Sequence, residues 1–466
     1  MISLTDISPL YRSTAPSTLP SSLPPFPPAS LSSLPTELLT YILDYFPHHP
    51  ASERTNSLAR VCLVSKFFLS IAQPRLFRNI HLNLDQNYDA DFSRYRKLVR
   101  ILTSGHSISK EVKDLRVSFQ GGGTNSIDMA VFAFVLSTIG PLESIRTSWW
   151  YDRGFDYAPE FIQAILQYQK GLKRLEIPKV HCIDSTTFSS IFSALPDLET
   201  FIGNFPPLSD QAESIKPLCH LRRLVSTTPF DSPLFQQITE QSHTSLTSLA
   251  IGLTTSHDPL DFSSYTHLSL LRINISHSSQ WKIRLLPVSD PLLEDLKDFF
   301  SKTLPQTLLS LRNLPIQTLS ISAQSAELQL ALKFCSFLDA LPPSIVHFTA
   351  IPQVFSQYRL GSNQLLEQIR GRSYPRLKLI SILPEDYWGP ETSEHGTLQQ
   401  EAAYDELMES CAELGVRVET VGGQRLWPHP RMALDLHEAD SETEVSDGDA
   451  VDEFAIFESE DDSEET

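Results

Sequence analysis

The sequence predicts an α/β chain: an N-terminal three-helix module followed by an irregular solenoid of alternating helices and parallel strands. Apolar residues recur at helical spacing between Leu38 and Phe68. A Leu-x-x-Leu-x-Ile pattern then returns repeatedly from Leu142 to Ile382. Pro is frequent at 33 residues against 17 Gly, which cuts the chain into many short elements.

Residues 1–30 are rich in Ser and Pro, ending in Leu23-Pro24-Pro25-Phe26-Pro27-Pro28. Such sequence favours extended conformations and lacks core-forming residues, so a disordered leader is expected. The first helix opens at Leu34-Pro35, where proline suits the first turn. Leu38, Leu39, Ile42, Leu43 and Phe46 form its apolar stripe, and Pro47-His48-His49-Pro50 ends it. Asn56 or Ser57 is the expected cap of a second helix carrying Leu58, Val61, Cys62, Val64, Ser65 and Phe68 on one face. A third segment, Ile71 to Phe77, leads into a strand at Asn79 to Leu84.

The middle of the chain reads as a solenoid. Ile145, Leu175, Phe201, Leu224 and Leu249 hold equivalent places in successive patterns, separated by 30, 26, 23 and 25 residues. That period suits units of one strand and one helix, each leaving an apolar flank that only its neighbours cover. Helix signals precede several strands. Pro159 starts one through Phe161, Ile165 and Leu166, with Gly171 as its stop. Asp184 or Ser185 caps another through Phe188, Ile191 and Phe192. Ser289-Asp290-Pro291 opens a third through Leu296 and Phe300, and a helix around Leu398 to Leu414 precedes a closing strand at Gly415 to Glu419.

The formal net charge of −19 is concentrated at one end. From Asp435 onward there are 15 Asp and Glu and no Lys or Arg, so the remaining body carries only about −4. The segment 431–466 is therefore expected to be an acidic, disordered tail, interrupted by the apolar island Phe454-Ala455-Ile456-Phe457. An acidic body lacks the clustered Lys and Arg that nucleic acid demands. The most apolar stretch, Met129 to Ile139, is far short of the ~20 residues that cross a bilayer. Neither nucleic acid nor membrane is an expected partner. The five Cys are scattered and include no Cys-x-x-Cys pair, and no secretory leader is legible, so a cytoplasmic or nuclear compartment is expected.

Catalytic motifs are not legible. Gly121-Gly122-Gly123 lacks the spaced glycines and the Gly-Lys-Ser/Thr ending of a phosphate loop. His48-His49 and His181-Cys182 have no partnered ligands, so neither a metal nor another cofactor is expected.

The run "LSSLPTELLTYILDYF" followed by "LARVCLVSKFFLSIAQPRLFRNIHL" resembles the F-box, in the form common among fungal F-box proteins. Leu-Pro-x-Glu-Leu, Leu-Val-Ser-Lys-x-Phe and Pro-x-Leu-Phe-Arg-x-Ile occur in order over about fifty residues. The middle region resembles leucine-rich repeats, although the Asn or Cys expected three residues after the third apolar position is missing: Val180 occupies it in the unit from Leu172. The organisation implied is a leader at 1–30, an F-box at 31–82, a leucine-rich-repeat-like solenoid at 83–430 and a tail at 431–466. The F-box resemblance implies a non-catalytic substrate-recognition subunit of an SCF-type ubiquitin ligase, docked to a Skp-type adaptor and through it to a cullin, with the repeats binding a target protein. A non-catalytic F-box scaffold, or a repeat-based interaction module with no role in degradation, is the alternative.

The residues expected to contact the adaptor are Leu34, Pro35, Leu38, Ile42, Leu43, Val61, Val64, Ser65, Phe68, Leu76 and Phe77. Leu39, Cys62 and Phe67 fit docking and self-packing equally. A helical piece of this size can hardly enclose so many large apolar groups alone. Trp149, Trp150 and Tyr151, beyond the strand-like Leu142 to Thr147, are candidate target contacts, because aromatic anchors often dominate interfaces. They equally suit a capping role on the core.

Overall fold

The structure, a computed structural model, describes residues 34–44, 51–85, 98–103, 106–120, 126–149, 159–177, 185–203, 216–229, 232–254, 258–276, 298–323, 339–350, 366–371, 373–382 and 408–420. Three helices come first: α1 (Thr36–Asp44), α2 (Ala51–Cys62) and α3 (Lys66–Leu76). Twelve strands follow: β1 (Asn79–Asp85), β2 (Asp114–Gln120), β3 (Ser144–Trp149), β4 (Arg174–Ile177), β5 (Thr200–Gly203), β6 (Arg223–Pro229), β7 (Ser248–Thr254), β8 (Leu270–Ser276), β9 (Thr318–Ala323), β10 (His347–Ala350), β11 (Leu379–Ile382) and β12 (Arg417–Thr420). They form one sheet in strict sequence order, every neighbouring pair parallel. Each strand thus adds to the edge left by the one before it, which is a solenoid's growth rule.

One register row runs through the whole sheet. Ile80, Leu115, Ile145, Leu175, Phe201, Leu224, Leu249, Leu271, Leu319, Phe348, Ile380 and Val418 stand opposite one another strand by strand. All but Val418 are buried, and Val418 packs against the same core. The entry to each strand repeats a single device. The Glu143 carbonyl accepts from both Lys173 and Arg174 amides, Lys173 from Glu199 and Thr200, and Glu199 from Arg222 and Arg223. The same fork recurs down to Val346, which accepts from Lys378 and Leu379. Units are coupled by backbone hydrogen bonds on one side and apolar contact on the other.

Helices cover the core face where a unit is long enough. These are α4 (98–103), α5 (His106–Glu111), α6 (Ser126–Thr138), α7 (Pro159–Tyr168), α8 (Ser185–Ala194) and α9 (Ser232–Thr239). Phe132 of α6 stacks on Phe161 of α7 at 4.5 Å. Phe188 and Phe192 of α8 meet Phe201 of β5 edge-on at 5.8 and 5.0 Å.

Strict alternation fails between β7 and β8. The described part of that link, 258–269, is a series of turns, and Phe262, Tyr265 and Leu268 fill the layer instead. In the described part of this link, turns replace a helix and large side chains do the covering. The helix expected from Ser289 begins outside the described residues. Phe300 is buried in a π-helical turn, Phe299–Thr303, that continues into the helix Leu304–Leu309. Pro305 has no amide to donate, and its ring crowds the preceding turn, which accounts for the widened coil. The last unit has a helix at 408–413 and Gly415 at φ 75° before β12.

The second helix differs from expectation. It begins at Ala51 rather than after Asn56 or Ser57, and it ends at Cys62. Val64, Ser65 and Phe68 belong to a turn and a new helix. Ser65 is extended, and its hydroxyl accepts from the Phe68 amide at 3.2 Å, capping α3.

Candidate docking surface

Residues 34–77 enclose a small core of their own. Leu39 and Leu43 of α1, Leu58 and Cys62 of α2, and Ile71 and Ala72 of α3 are buried together. Leu34, Val61, Phe68, Leu69 and Leu76 pack partly against them. Pro35 starts α1, its carbonyl accepting from both Leu38 and Leu39 amides at 3.0 and 3.1 Å. Glu37 in the first turn complements the helix dipole.

What the hairpin leaves outside is equally apolar. Leu38 is 50% exposed, Tyr41 66%, Ile42 46%, Leu63 60%, Val64 68% and Phe67 40%. Only five other large apolar side chains among the described residues are comparably exposed, and they are scattered over the rest of the chain. Leu38, Tyr41 and Ile42 share one face of α1 by their spacing of three and four. Leu63 and Val64 lie in the α2–α3 turn, and Phe67 in the first turn of α3, its ring edge-on to Phe68 at 5.7 Å. Scattered exposed leucines are ordinary on a soluble surface, whereas a concentration on one small module marks an interaction face.

The expected contact residues divide accordingly. Leu38, Ile42, Val64, Pro35 and Ser65 are exposed. Leu34, Val61, Phe68, Leu76 and Phe77 are half-buried. Leu43 is 5% exposed and belongs to the internal core, so it is corrected from contact to packing residue. Leu39 and Cys62 also pack inward, while Phe67 is open. Tyr41 and Leu63 were absent from the expected set. Tyr41 follows Leu38 by three positions, a spacing that places it on the same face.

Trp149 closes β3, paired with Phe119, and nothing is described of its side chain. Trp150 and Tyr151 lie outside the described residues, as do His48-His49, the glycine run at 121–123, His181-Cys182, the leader and the acidic segment.

The face of the sheet opposite the core carries charged, polar and apolar side chains in turn, with Ile202, Val225 and Ala250 forming a small buried apolar cluster. Arg116, Arg146, Glu176, Ile202, Val225, Ala250, Arg272, Ser320, Thr349, Ser381 and Glu419 succeed one another across it. Glu176, 4% exposed, is held in close contact by Arg174 and lies 3.8 Å from Arg146. The free thiols are poor candidates for chemistry, because burial pushes Cys219 and Cys411 up to about 11 and raises Cys62. Among the described residues, no group of three His, Cys, Asp or Glu side chains could hold a metal ion, and no helix is long and apolar enough to cross a membrane.

Residues 31–83 match the family model described as F-box-like. This stretch is an F-box-like domain. Its match ends inside β1, whose Ile80 and Leu82 lie in the large repeat core. The Arg78 carbonyl also accepts from Lys113 and Asp114 at the entry to β2. The F-box-like domain and the first repeat therefore share a strand. Among solved structures, the crystal structure of the Rad7 and Elc1 complex in yeast aligns over 78% of this chain and 90% of that chain, at 13% identity and a TM-score of 0.35. At that score the likeness carries no argument. No curated protein matches the chain.

Proposed function

We propose that this chain is a substrate-recognition subunit of an SCF-type ubiquitin ligase. The F-box-like domain docks a Skp-type adaptor, and the sheet-and-helix solenoid holds a target protein. The observation that carries this reading is the open apolar face of Leu38, Tyr41, Ile42, Leu63, Val64 and Phe67 on a module whose own core is already closed. A surface of that composition is stabilised when another polypeptide covers it.

The chain's physical contribution is proximity. The adaptor and cullin bring the charged conjugating enzyme, and the bound target's lysines then meet its thioester at high effective concentration. No catalytic group is required of this chain. The shared strand β1 suits that role, since it couples the docking module to the repeats without a flexible linker.

Affinity purification of the full chain, with and without residues 31–77, tests the assignment. The reading predicts recovery of adaptor, cullin and ubiquitinated species with the intact chain, and loss of all three on deletion. Adaptor recovery without any deletion-sensitive ubiquitinated species would instead support a scaffold outside degradation.

A further inference from the structure

Among the described residues, the sheet ends at β12 with its outer edge open. Ten carbonyls at the strand entries, from Arg78 to Val346, each accept from two amides of the next unit. The Val416 carbonyl holds the same place before β12, and among the described residues no amide donates to it. The register row stops short as well. Its other eleven members are buried, whereas Val418 is half-buried. An unpaired edge beside a half-covered apolar row is unfavourable until a further strand covers both.

The chain beyond β12 carries the signature of such a strand. β4 and β7 place buried apolar residues three positions before the row and two after it, as Leu172, Leu175 and Ile177 and as Leu246, Leu249 and Ile251. Val451-Asp452-Glu453-Phe454-Ala455-Ile456 repeats that spacing, with two charged residues in the gap as in Leu172-Lys173-Arg174-Leu175. Phe454 follows Val418 by 36 residues, and neighbouring row residues are separated by as few as 22, from Leu249 to Leu271, and as many as 48, from Leu271 to Leu319. In between, Pro430 suits a helix start, and Met432, Ala433 and Leu436 recur at helical spacing. Helix signal then strand signal is the order that α7 and β4 follow.

We propose that residues 451–457 of the same chain add to β12 as a thirteenth parallel strand, with Phe454 opposite Val418. The apolar island in the acidic tail is then the last repeat. In this register Glu453 falls opposite Arg417, whose side chain is 72% exposed, and Ala455 falls opposite Glu419. Opposite charges are paired and like charges are not. The Asp452 and Glu453 amides donate to the Val416 carbonyl and complete its fork. Phe454 and Ile456 extend the core over Val418. The acidic run at 458–465 that follows discourages addition of yet another strand, so the chain closes its own sheet. This inference stands independently of adaptor docking.

Two measurements on the full chain test it. Amide hydrogen exchange, corrected for intrinsic rates, should be at least tenfold slower across 452–457 than across 460–466. Phe454→Asp with Ile456→Asp should erase that difference and speed exchange in β12. Crosslinking reads the register and the source of the strand. Parallel neighbours stand about 4.8 Å apart, within disulfide reach. Glu419→Cys with Ala455→Cys should therefore form an intrachain disulfide at least tenfold faster than Glu419→Cys with Glu464→Cys. Exchange across 452–457 as fast as across 460–466 overturns the proposal. Equal crosslinking of the two pairs, or crosslinks formed only between chains, overturns it too. Adaptor recovery from the same samples bears only on the docking reading.

Discussion

Gln169, 1% exposed, ties two successive repeats together through Leu142. Its Oε1 accepts from the Leu142 amide at 2.8 Å, and its Nε2 donates to the Leu136 carbonyl at 3.1 Å. The device recurs in other chemistry. Ser242 Oγ accepts from the Leu221 amide at 2.9 Å, and Thr307 Oγ1 from the Leu260 amide at 3.1 Å. In each case a polar side chain in, or directly after, the next helical or 3-10 segment satisfies the amide of a leucine in the preceding unit. A regular repeat would use an asparagine ladder, and here unrelated residues at irregular positions take over part of that work.

Replacing Gln169 by Leu leaves both a buried amide and a buried carbonyl unpaired. Each such group costs about 1–3 kcal/mol, so urea unfolding should show a loss of roughly 3 kcal/mol. Because repeat stability propagates through neighbours, exchange protection should fall first in β3 and β4.

Gly203 is the small member of its register row. A Cβ there would meet Phe201 Cζ at 2.8 Å and Ile177 Cγ1 at 3.1 Å. The Phe201 ring cannot retreat easily, since Phe188 and Phe192 both pack edge-on against it. Gly203→Ala should therefore destabilise by about 1–3 kcal/mol, read as a lowered urea midpoint with an unchanged slope.

Tyr265 provides a pH test. Its hydroxyl bonds Thr239 Oγ1 at 2.7 Å, and burial pushes the phenol up to about 12, with Asp261 adding to the rise. Above pH 10 the unfolded chain ionises this group while the folded chain does not, so its contribution to stability falls between pH 10 and about 12. At pH 8, Tyr265→Phe should cost about 1 kcal/mol, because Thr239 keeps its bond to the Phe235 carbonyl. Between pH 10 and 12 that deficit should shrink and reverse, since phenylalanine has nothing to ionise. Denaturant melts of both proteins across this range give the difference directly.

Much of this was legible in the residues, and the failures have physical causes. The period from Ile145 to Leu249 marked five strands that do share one register row. The β8 and β10 units were passed over, although Leu268-Ser269-Leu270-Leu271-Arg272-Ile273 carries the same apolar spacing as its neighbours. In β10 the row residue is Phe348 and the preceding anchor is Ile345, so a leucine-based pattern slides past them. In the F-box-like domain, Leu38 and Leu39 read as one stripe. Adjacent helical positions diverge by about 100°, so Leu39 and Leu43 turn inward while Leu38 and Ile42 turn out. The role of Ser65 as a cap was hidden because the apolar spacing continues across the break between α2 and α3.

The central claim is that the outward face of α1 is covered by a Skp-type adaptor. Leu38→Asp with Ile42→Asp places two charges on that face, at side chains 50% and 46% exposed, so the fold itself should lose little. Leu39→Asp, at 3% exposed, serves as the unfolding control. The deciding measurement is the amount of purified Skp-type adaptor bound by the full chain, alongside its circular dichroism. The account predicts at least a hundredfold weaker binding for the double variant, on the order of 3 kcal/mol, with an unchanged spectrum. Wild-type adaptor affinity in that folded variant would contradict it.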